Sequence, residues 1–526
     1  MKKISKINWG LFKESPKGQE AIAKFSKLSS ADCSIEEMLS IAKSFSPLYF
    51  SNVTKKEEEG FLNILQEFDD VISNTLPESF NGEEELWNYY SWLLKGFATD
   101  ENLQFEDIPQ SKFKYILQDN IFLSTILHAY LPNYYIPNFF VLQFLYLNRF
   151  AKKYELDLPK VPNRSDYKNR CLYYIEICKI LRQFRDENGF DSPADFCAYL
   201  YGYELPLIKE EMESDYSAPK PKQPENAWIL VGNYGEGEKD MSHGLWQANQ
   251  FTSKGDVLLF YEKSPVKKLN AIWTALEDGV VDPFFHYYSY TIIGKKIEIP
   301  SDKAITFEDF KNSEYFKVEN RGREGNFVSK NFQDVSGWAV TSSDYKEIKR
   351  MLEDKGFDTS ILPSLYEPKK LAGVNIELEA DVSNKLLVPL LEEMGWKRDV
   401  DFKAEVEFPA GRGTTGHQME KRPDFCLHLT GKEKDLGAKV VIEVKLWMKN
   451  NEEIEANYYQ GLSYAKWGNA QVLVLCDKNQ IRVYERNKKG EFDENKWEKF
   501  LWEEMENLEK RNELKRMLNI QLWQRI

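Results

Sequence analysis

Asp424 and the pair Glu443-x-Lys445 are the residues of this sequence whose types and spacing best suit catalysis. The pair lies in the apolar run Val440-Val441-Ile442-Glu443-Val444-Lys445, which reads as a strand. Residues two apart on a strand share a face. The carboxylate and the ammonium therefore point one way, while Ile442 and Val444 point to the opposite, necessarily buried side. Arg422-Pro423-Asp424-Phe425 opens a second short strand. If the two strands are neighbours, the carboxylates of Asp424 and Glu443 meet. Close carboxylates repel, and a divalent cation relieves the repulsion; Mg²⁺ suits such an oxygen site because it keeps several waters and needs few protein ligands. A lysine beside the metal can orient or deprotonate an attacking water and stabilise charge on a phosphate. The bland alternative is an ordinary exposed strand face, since an isolated Glu-x-Lys is common.

The flanking sequence supplies elements able to position these groups. Residues 381–394 carry Val382, Leu386, Leu387, Leu390, Leu391 and Met394 on one helical face, and Gly395 follows as a C-terminal cap. Glu379, just before this helix, could approach the cation; Glu377 and Asp381 compete for that role. Residues 402–408, 423–429, 439–446 and 471–476 read as strands and 452–467 as a helix. On that helix Gln460 and Tyr464 lie four apart on one face, within reach of a phosphate or a water. The last forty residues, rich in Glu and Lys, read as helical. The loop Gly411-Arg412-Gly413-Thr414-Thr415-Gly416-His417 is no P-loop, because no Lys-Ser/Thr follows it. With no such motif elsewhere, an ATP-driven motor is not expected. Arg412, Lys421 and Arg422 are candidate phosphate contacts, or merely part of a solvated loop.

Taken together, Asp424, Glu443-x-Lys445, the helix preceded by Glu379 and Gln460-x-x-x-Tyr464 resemble the PD-(D/E)xK nuclease superfamily. The Gln-x-x-x-Tyr element is similar to that of nuclease domains in type I restriction subunits. The resemblance covers about residues 373–490. It implies a restriction-endonuclease-like α/β fold and Mg²⁺-dependent phosphodiester hydrolysis. Asp424, Glu443 and Glu379 would be the metal ligands, and Lys445 the catalytic lysine.

Upstream, residues 1–216 show apolar residues three and four apart, as in Phe61, Ile64, Leu65, Phe68 and Ile72, and read as a helical scaffold. Residues 217–225, with Pro219, Pro221 and Pro224, read as a stiff linker. From 226 to 342 short strands alternate with Gly turns, which predicts a small β-barrel crowded with aromatic side chains. Residues 343–372 are a connector, and 373–526 form the last domain. The expected class is thus multi-domain α+β. Within the barrel, Ala227-Trp228-Ile229, Leu245-Trp246-Gln247-Ala248-Asn249 and the turn Gly255-Asp256 leading to Phe260-Tyr261 resemble an EVE domain of the PUA-like class. That resemblance implies a reader that holds a modified base in an aromatic pocket, with Asn233, Trp246, Gln247 and Tyr261 near it.

Composition bounds the rest. The 526 residues suffice for three or four domains, and 42% hydrophobic content supplies their cores. A net charge of −14 argues against bulk nucleic-acid binding but permits a local site. Cys33, Cys171, Cys178, Cys197, Cys426 and Cys476 sit in apolar runs without a CxxC pair, so reduced buried thiols in a cytoplasmic protein are expected and a zinc site is not. No apolar run reaches membrane-spanning length. A base reader joined to a nuclease resembles modification-dependent, type IV restriction endonucleases. This implies DNA carrying modified bases as partner, Mg²⁺ as cofactor and a homodimer for double-strand breaks. Two alternatives stay open: a repair or RNA-processing nuclease whose PUA-like domain binds RNA, and a non-catalytic protein that binds modified nucleic acid.

Overall fold

The computed structural model describes residues 2–30, 32–51, 53–77, 79–99, 101–216, 223–234, 243–317, 326–370, 374–408, 422–431, 435–487 and 489–519. Apart from the last two residues, the chain forms two compact units. One comprises Met1–Lys222 with Trp228–Trp338, the other Gln223–Ala227 with Ala339–Gln524. The two sheets are mixed, and one curls into a half-barrel where a small β-barrel was expected.

In the first unit, helices from Lys6–Glu14 to Leu205–Asp215 surround an aromatic-rich core. Local capping starts them where the sequence indicates: Ser34 and Thr54 close capping boxes, and Ser192 accepts from the Asp195 N–H at Pro193–Cys197. The sheet runs in the order His243–Gln247, Ser289–Glu298, Lys268–Ala275, Val257–Glu262, Ala227–Gly232. Helices and sheet are not separate here. Leu276, Val280, Val281, Phe284, Tyr288, Tyr290 and Ile292 belong to the same core as the helices. Polar bonds seal the junction. The Leu142 N–H donates to Asp282 Oδ2 at 2.8 Å, and Arg170 donates to the Pro283 and Phe285 carbonyls at 2.8 and 2.9 Å. The Gly255-Asp256 turn has a structural purpose. Gly255 takes φ 98°, and buried Asp256 accepts from the Trp228 indole N–H and the Ser253 N–H, both at 2.8 Å.

The second unit is built on a six-stranded sheet. Its order is Glu498–Leu501, Gln480–Glu485, Val472–Cys476, Gly437–Val444, Phe425–Thr430, Phe402–Ala404. Gly437–Val444 and Val472–Cys476 are parallel, and the helix Asn451–Trp467 makes the crossover between them; the other neighbours are antiparallel. Residues 223–225 of the predicted linker pack within this unit: the Pro224 carbonyl accepts from the Tyr366 N–H at 2.8 Å, and Glu225 pairs with Lys515 at 2.5 Å. Residues 217–222 lie outside the described residues.

One expectation gains detail here and two need correction. The predicted helix over 381–394 is an α-turn Glu379–Asp381, a π-turn Val382–Leu387 and a final α-segment Val388–Glu393, ended by Gly395 at φ 99° as its type requires. The predicted strand over 402–408 is ordered as a strand only at Phe402–Ala404, because Glu405 turns to φ 49°. The charged C-terminal region is not all helix. Glu498–Leu501 pairs with Gln480–Glu485 before the helix Leu508–Leu518, so an available sheet edge overrides local helix propensity. All six cysteines are free and buried. Among the described residues, no helix is long and apolar enough to cross a membrane.

Candidate active site

Residues Phe425 and Ile442 are register partners, as are Cys426 and Val441. One step further, Asp424 stands opposite Glu443. Both strand faces are buried, each against a different layer. Val440, Ile442 and Val444 join the core that contains Val382, Leu386 and Leu391. Val441 and Cys426 join Tyr458 and Ala465 of the Asn451–Trp467 helix. Glu443 and Lys445 have the parity of Val441, so they lie on the helix side at the end of the strand. This excludes an ordinary exposed face, for Glu443 is only 2% exposed.

The polar contacts are specific. Asp424 Oδ2 accepts from the Val444 N–H at 2.6 Å, and Lys445 Nζ donates to Glu443 Oε1 at 2.5 Å. Glu443 Oε2 is buried with no hydrogen-bond partner. Burial, then the neighbouring Asp424 charge, pushes the Glu443 carboxyl up to about 7, against the opposing pull of Lys445. Burial also raises Asp424, although the Val444 N–H and Lys445 favour its charged form. Burial alone would lower Lys445, but Glu443, Glu379 and Asp424 outweigh it and raise the group, so it remains an ammonium.

Glu379 is exposed at the start of its helix, and its charge acts on both Glu443 and Lys445. Asp381 is committed elsewhere: it pairs with Lys385 and accepts from the Glu377 and Leu378 N–H groups, which holds it down at about 2. Glu377 accepts from the Asn375 amide. Of the three candidate acids, Glu379 is therefore the one that senses the pair. Gln460 donates to Tyr464 Oη at 3.1 Å, and their helix packs on the Glu443 side of the sheet. Sequence reasoning missed Glu405. Its N–H donates to the Asp424 carbonyl at 3.1 Å, and its charge also raises Asp424. The alternation of the 402–408 segment carried that signal, since Ala404 pairs with Phe425 and so puts Glu405 beside Asp424.

Among the described residues, no three His, Cys, Asp or Glu side chains converge to hold a metal by themselves. The set nevertheless fits Mg²⁺. Two opposed carboxylates, one with an orphaned buried oxygen, match an ion that takes one or two protein carboxylates and completes its octahedron with water and substrate phosphate. Arg422 pairs with Glu407 at 3.0 Å, and Arg412 and Lys421 lie outside the described residues.

The four side chains expected to hold a base have different surroundings among the described residues. Gln247 lines a cavity of about 300 Å³ with Asn249, Phe251, Tyr287 and Arg164. Trp246 packs edge-on against Phe260, at 4.9 Å between centroids, and covers Gly232. Tyr261 is buried with its ring stacked on Phe332 at 3.7 Å, so that face is taken. Asn233 is exposed just past the end of its strand and donates to the Ser264 carbonyl at 3.4 Å. Comparison with protein-family models, with curated proteins and with solved structures returns no match.

Proposed function

We propose that the chain is a Mg²⁺-dependent endonuclease acting on DNA, and that its Trp228–Trp338 region reads a modified base, as in modification-dependent restriction. The pairing of Asp424 with Glu443 on adjacent strands, with Lys445 on the same face, carries the hydrolytic half. Asp424 and Glu443 would hold the ion, with Glu379 approaching from the helix start. Bound Mg²⁺ would supply Lewis-acid polarisation of the scissile phosphate and lower the pKa of a coordinated water. The protein's own part is positional. The Val444 N–H fixes the Asp424 carboxylate, and Lys445, held as an ammonium, donates to a non-bridging phosphate oxygen where negative charge grows. Gln460 and Tyr464 offer an amide and a hydroxyl toward the same strand of substrate.

The reader half rests on the polar and aromatic cavity beside Gln247 and on the resemblance of the surrounding strands. Tethering a reader to a nuclease makes cutting near the bound base effectively intramolecular. One site cuts one strand, so a double-strand break needs two copies.

The test is to incubate the purified chain with Mg²⁺ and matched phage DNA, one preparation carrying modified cytosines and one plain. Selective cutting of the modified preparation, lowered about 10²- to 10³-fold by Lys445→Ala, is the expected result. Equal cutting of both would remove the reader half. No cutting of either at high enzyme concentration would remove the nuclease half.

A further inference from the structure

Immediately past Lys445 the chain builds a second feature that catalysis does not require. Trp447 is 46% exposed, and two ammonium groups lie on its indole: Lys478 Nζ at 4.4 Å and Lys449 Nζ at 5.3 Å from the ring centroid. Among the described residues, neither lysine is ion-paired to a carboxylate, in a chain whose net charge is −14. Two cations would ordinarily separate into solvent. Here the indole face attracts both, as a ring quadrupole does for any cation within about 6 Å.

The backbone beneath them is locked. Lys445 N–H donates to the Cys476 carbonyl at 2.8 Å and Lys478 N–H to the Leu446 carbonyl at 3.2 Å. Buried Asp477 accepts from the Met448 N–H at 2.9 Å and from the Asn479 and Gln480 N–H groups at 2.8 and 3.1 Å. Its carbonyl accepts from the Trp502 indole at 2.7 Å. These bonds join the two loops at the carboxyl ends of the parallel strands, where open sheets of this kind bind ligands. A lysine normally loses much rotamer freedom when it grips a phosphate. A ring and a braced loop remove part of that freedom beforehand.

We propose that Lys449 and Lys478, seated on Trp447, clamp backbone phosphates of the DNA strand beside the scissile bond. This deepens the nuclease reading and rests on it for the identity of the strand. The occupant follows from charge and place: two cations with no ion-paired carboxylate among the described residues, Lys449 four residues beyond the catalytic ammonium and Lys478 hydrogen-bonded through its N–H to Leu446 beside it. An ammonium binds phosphate as a point charge, so the clamp is indifferent to base and to modification.

The test measures DNA affinity by fluorescence anisotropy in the full-length chain bearing Lys445→Ala, so that the duplex stays whole, over a range of salt concentrations. Adding Lys449→Ala with Lys478→Ala should flatten the slope of log K against log salt by about 1.8, since each phosphate neutralised on duplex DNA contributes about 0.9. The reduction should be equal for plain and modified duplexes. Trp447→Ala should weaken binding with both lysines present, and Trp447→Phe should restore much of it. An unchanged slope in a variant with unchanged thermal melting overturns the clamp, and so does a reduction confined to modified DNA. Failure of the two readings is separable. A chain that cuts DNA while the double variant keeps its slope remains a nuclease without this clamp. A chain that cuts nothing while the slope falls keeps the clamp and loses the nuclease.

Discussion

Asp282 in the first unit and Glu443 in the second are both buried carboxyls that burial pushes up to about 7. They are otherwise opposites. Asp282 accepts from the Leu142, Phe284 and Phe285 N–H groups, and Arg170 favours its charge. Glu443 holds one lysine, faces a second carboxylate and keeps an oxygen with no partner. Asp282 thus stitches a sheet corner to a helical core, whereas the surroundings of Glu443 leave a demand that only a cation or a proton satisfies. A shifted acidity does not by itself mark a working site. What separates the two is whether the lone pairs are already spent.

The widest gap between the two surroundings should appear in activity. Lys445→Ala should cut phosphodiester hydrolysis by about 10²- to 10³-fold with no loss of melting temperature, whereas Asp282→Asn should leave the rate unchanged. Equal rates in a nicking assay would erase the distinction. The next effect is on stability. Asp282→Ala leaves the Leu142 and Phe284 N–H groups without their acceptor and the Phe285 N–H with only the Asp282 carbonyl, and should cost about 3 kcal/mol, read from chemical denaturation of the first unit. Glu443→Gln should move the other way. Removing a charge opposed to Asp424 should stabilise the second unit by about 1 kcal/mol at alkaline pH while abolishing cleavage. A destabilised Glu443→Gln would mean that the carboxylate is as structural as Asp282.

The pH response is finer. The Asp282 carboxyl titrates near 3.8 when unfolded and at about 7 when folded. Between these values the folded state binds the extra proton, so its contribution to stability is lost as pH rises, and Asp282→Asn should flatten that fall. His128 supplies the opposite sign in the same unit. Burial lowers it from 6.5 to about 4, with its ring nitrogens engaged by the Tyr135 carbonyl and the Ser29 hydroxyl. Between those values the unfolded state binds the extra proton, so stability is lost as pH falls, and His128→Gln should remove that part of the acid slope. Melting temperatures between pH 4 and about 7 test both.

Much of the second unit was legible because its signals are local. Alternation around Ile442 and Val444 gave the orientation of Glu443 and Lys445, and the left-handed Gly395 stands where the helix was expected to stop. Register did not need to be known beyond one neighbour. What sequence could not supply was set by distant partners. The π-turn at Val382–Leu387 has no local marker, and the Glu498–Leu501 strand exists because Gln480–Glu485 offers it an edge. The aromatic region also depends on distant partners. The resemblance placed Tyr261 near a base pocket, yet Phe332, far along the chain, stacks on its ring. The shared core of helices and half-barrel likewise depends on Tyr288, Tyr290 and Ile292 meeting residues more than a hundred positions away.

The strand that carries Glu443 is covered on both faces and hydrogen-bonded on both edges. Such a strand opens only when its whole unit opens. Heat should therefore take the chemistry and the fold at the same temperature, with no interval of intact but inactive protein. Any evolutionary adjustment of turnover must then come through the surrounding loops and the helix bearing Gln460, because the strand itself has no slack to give.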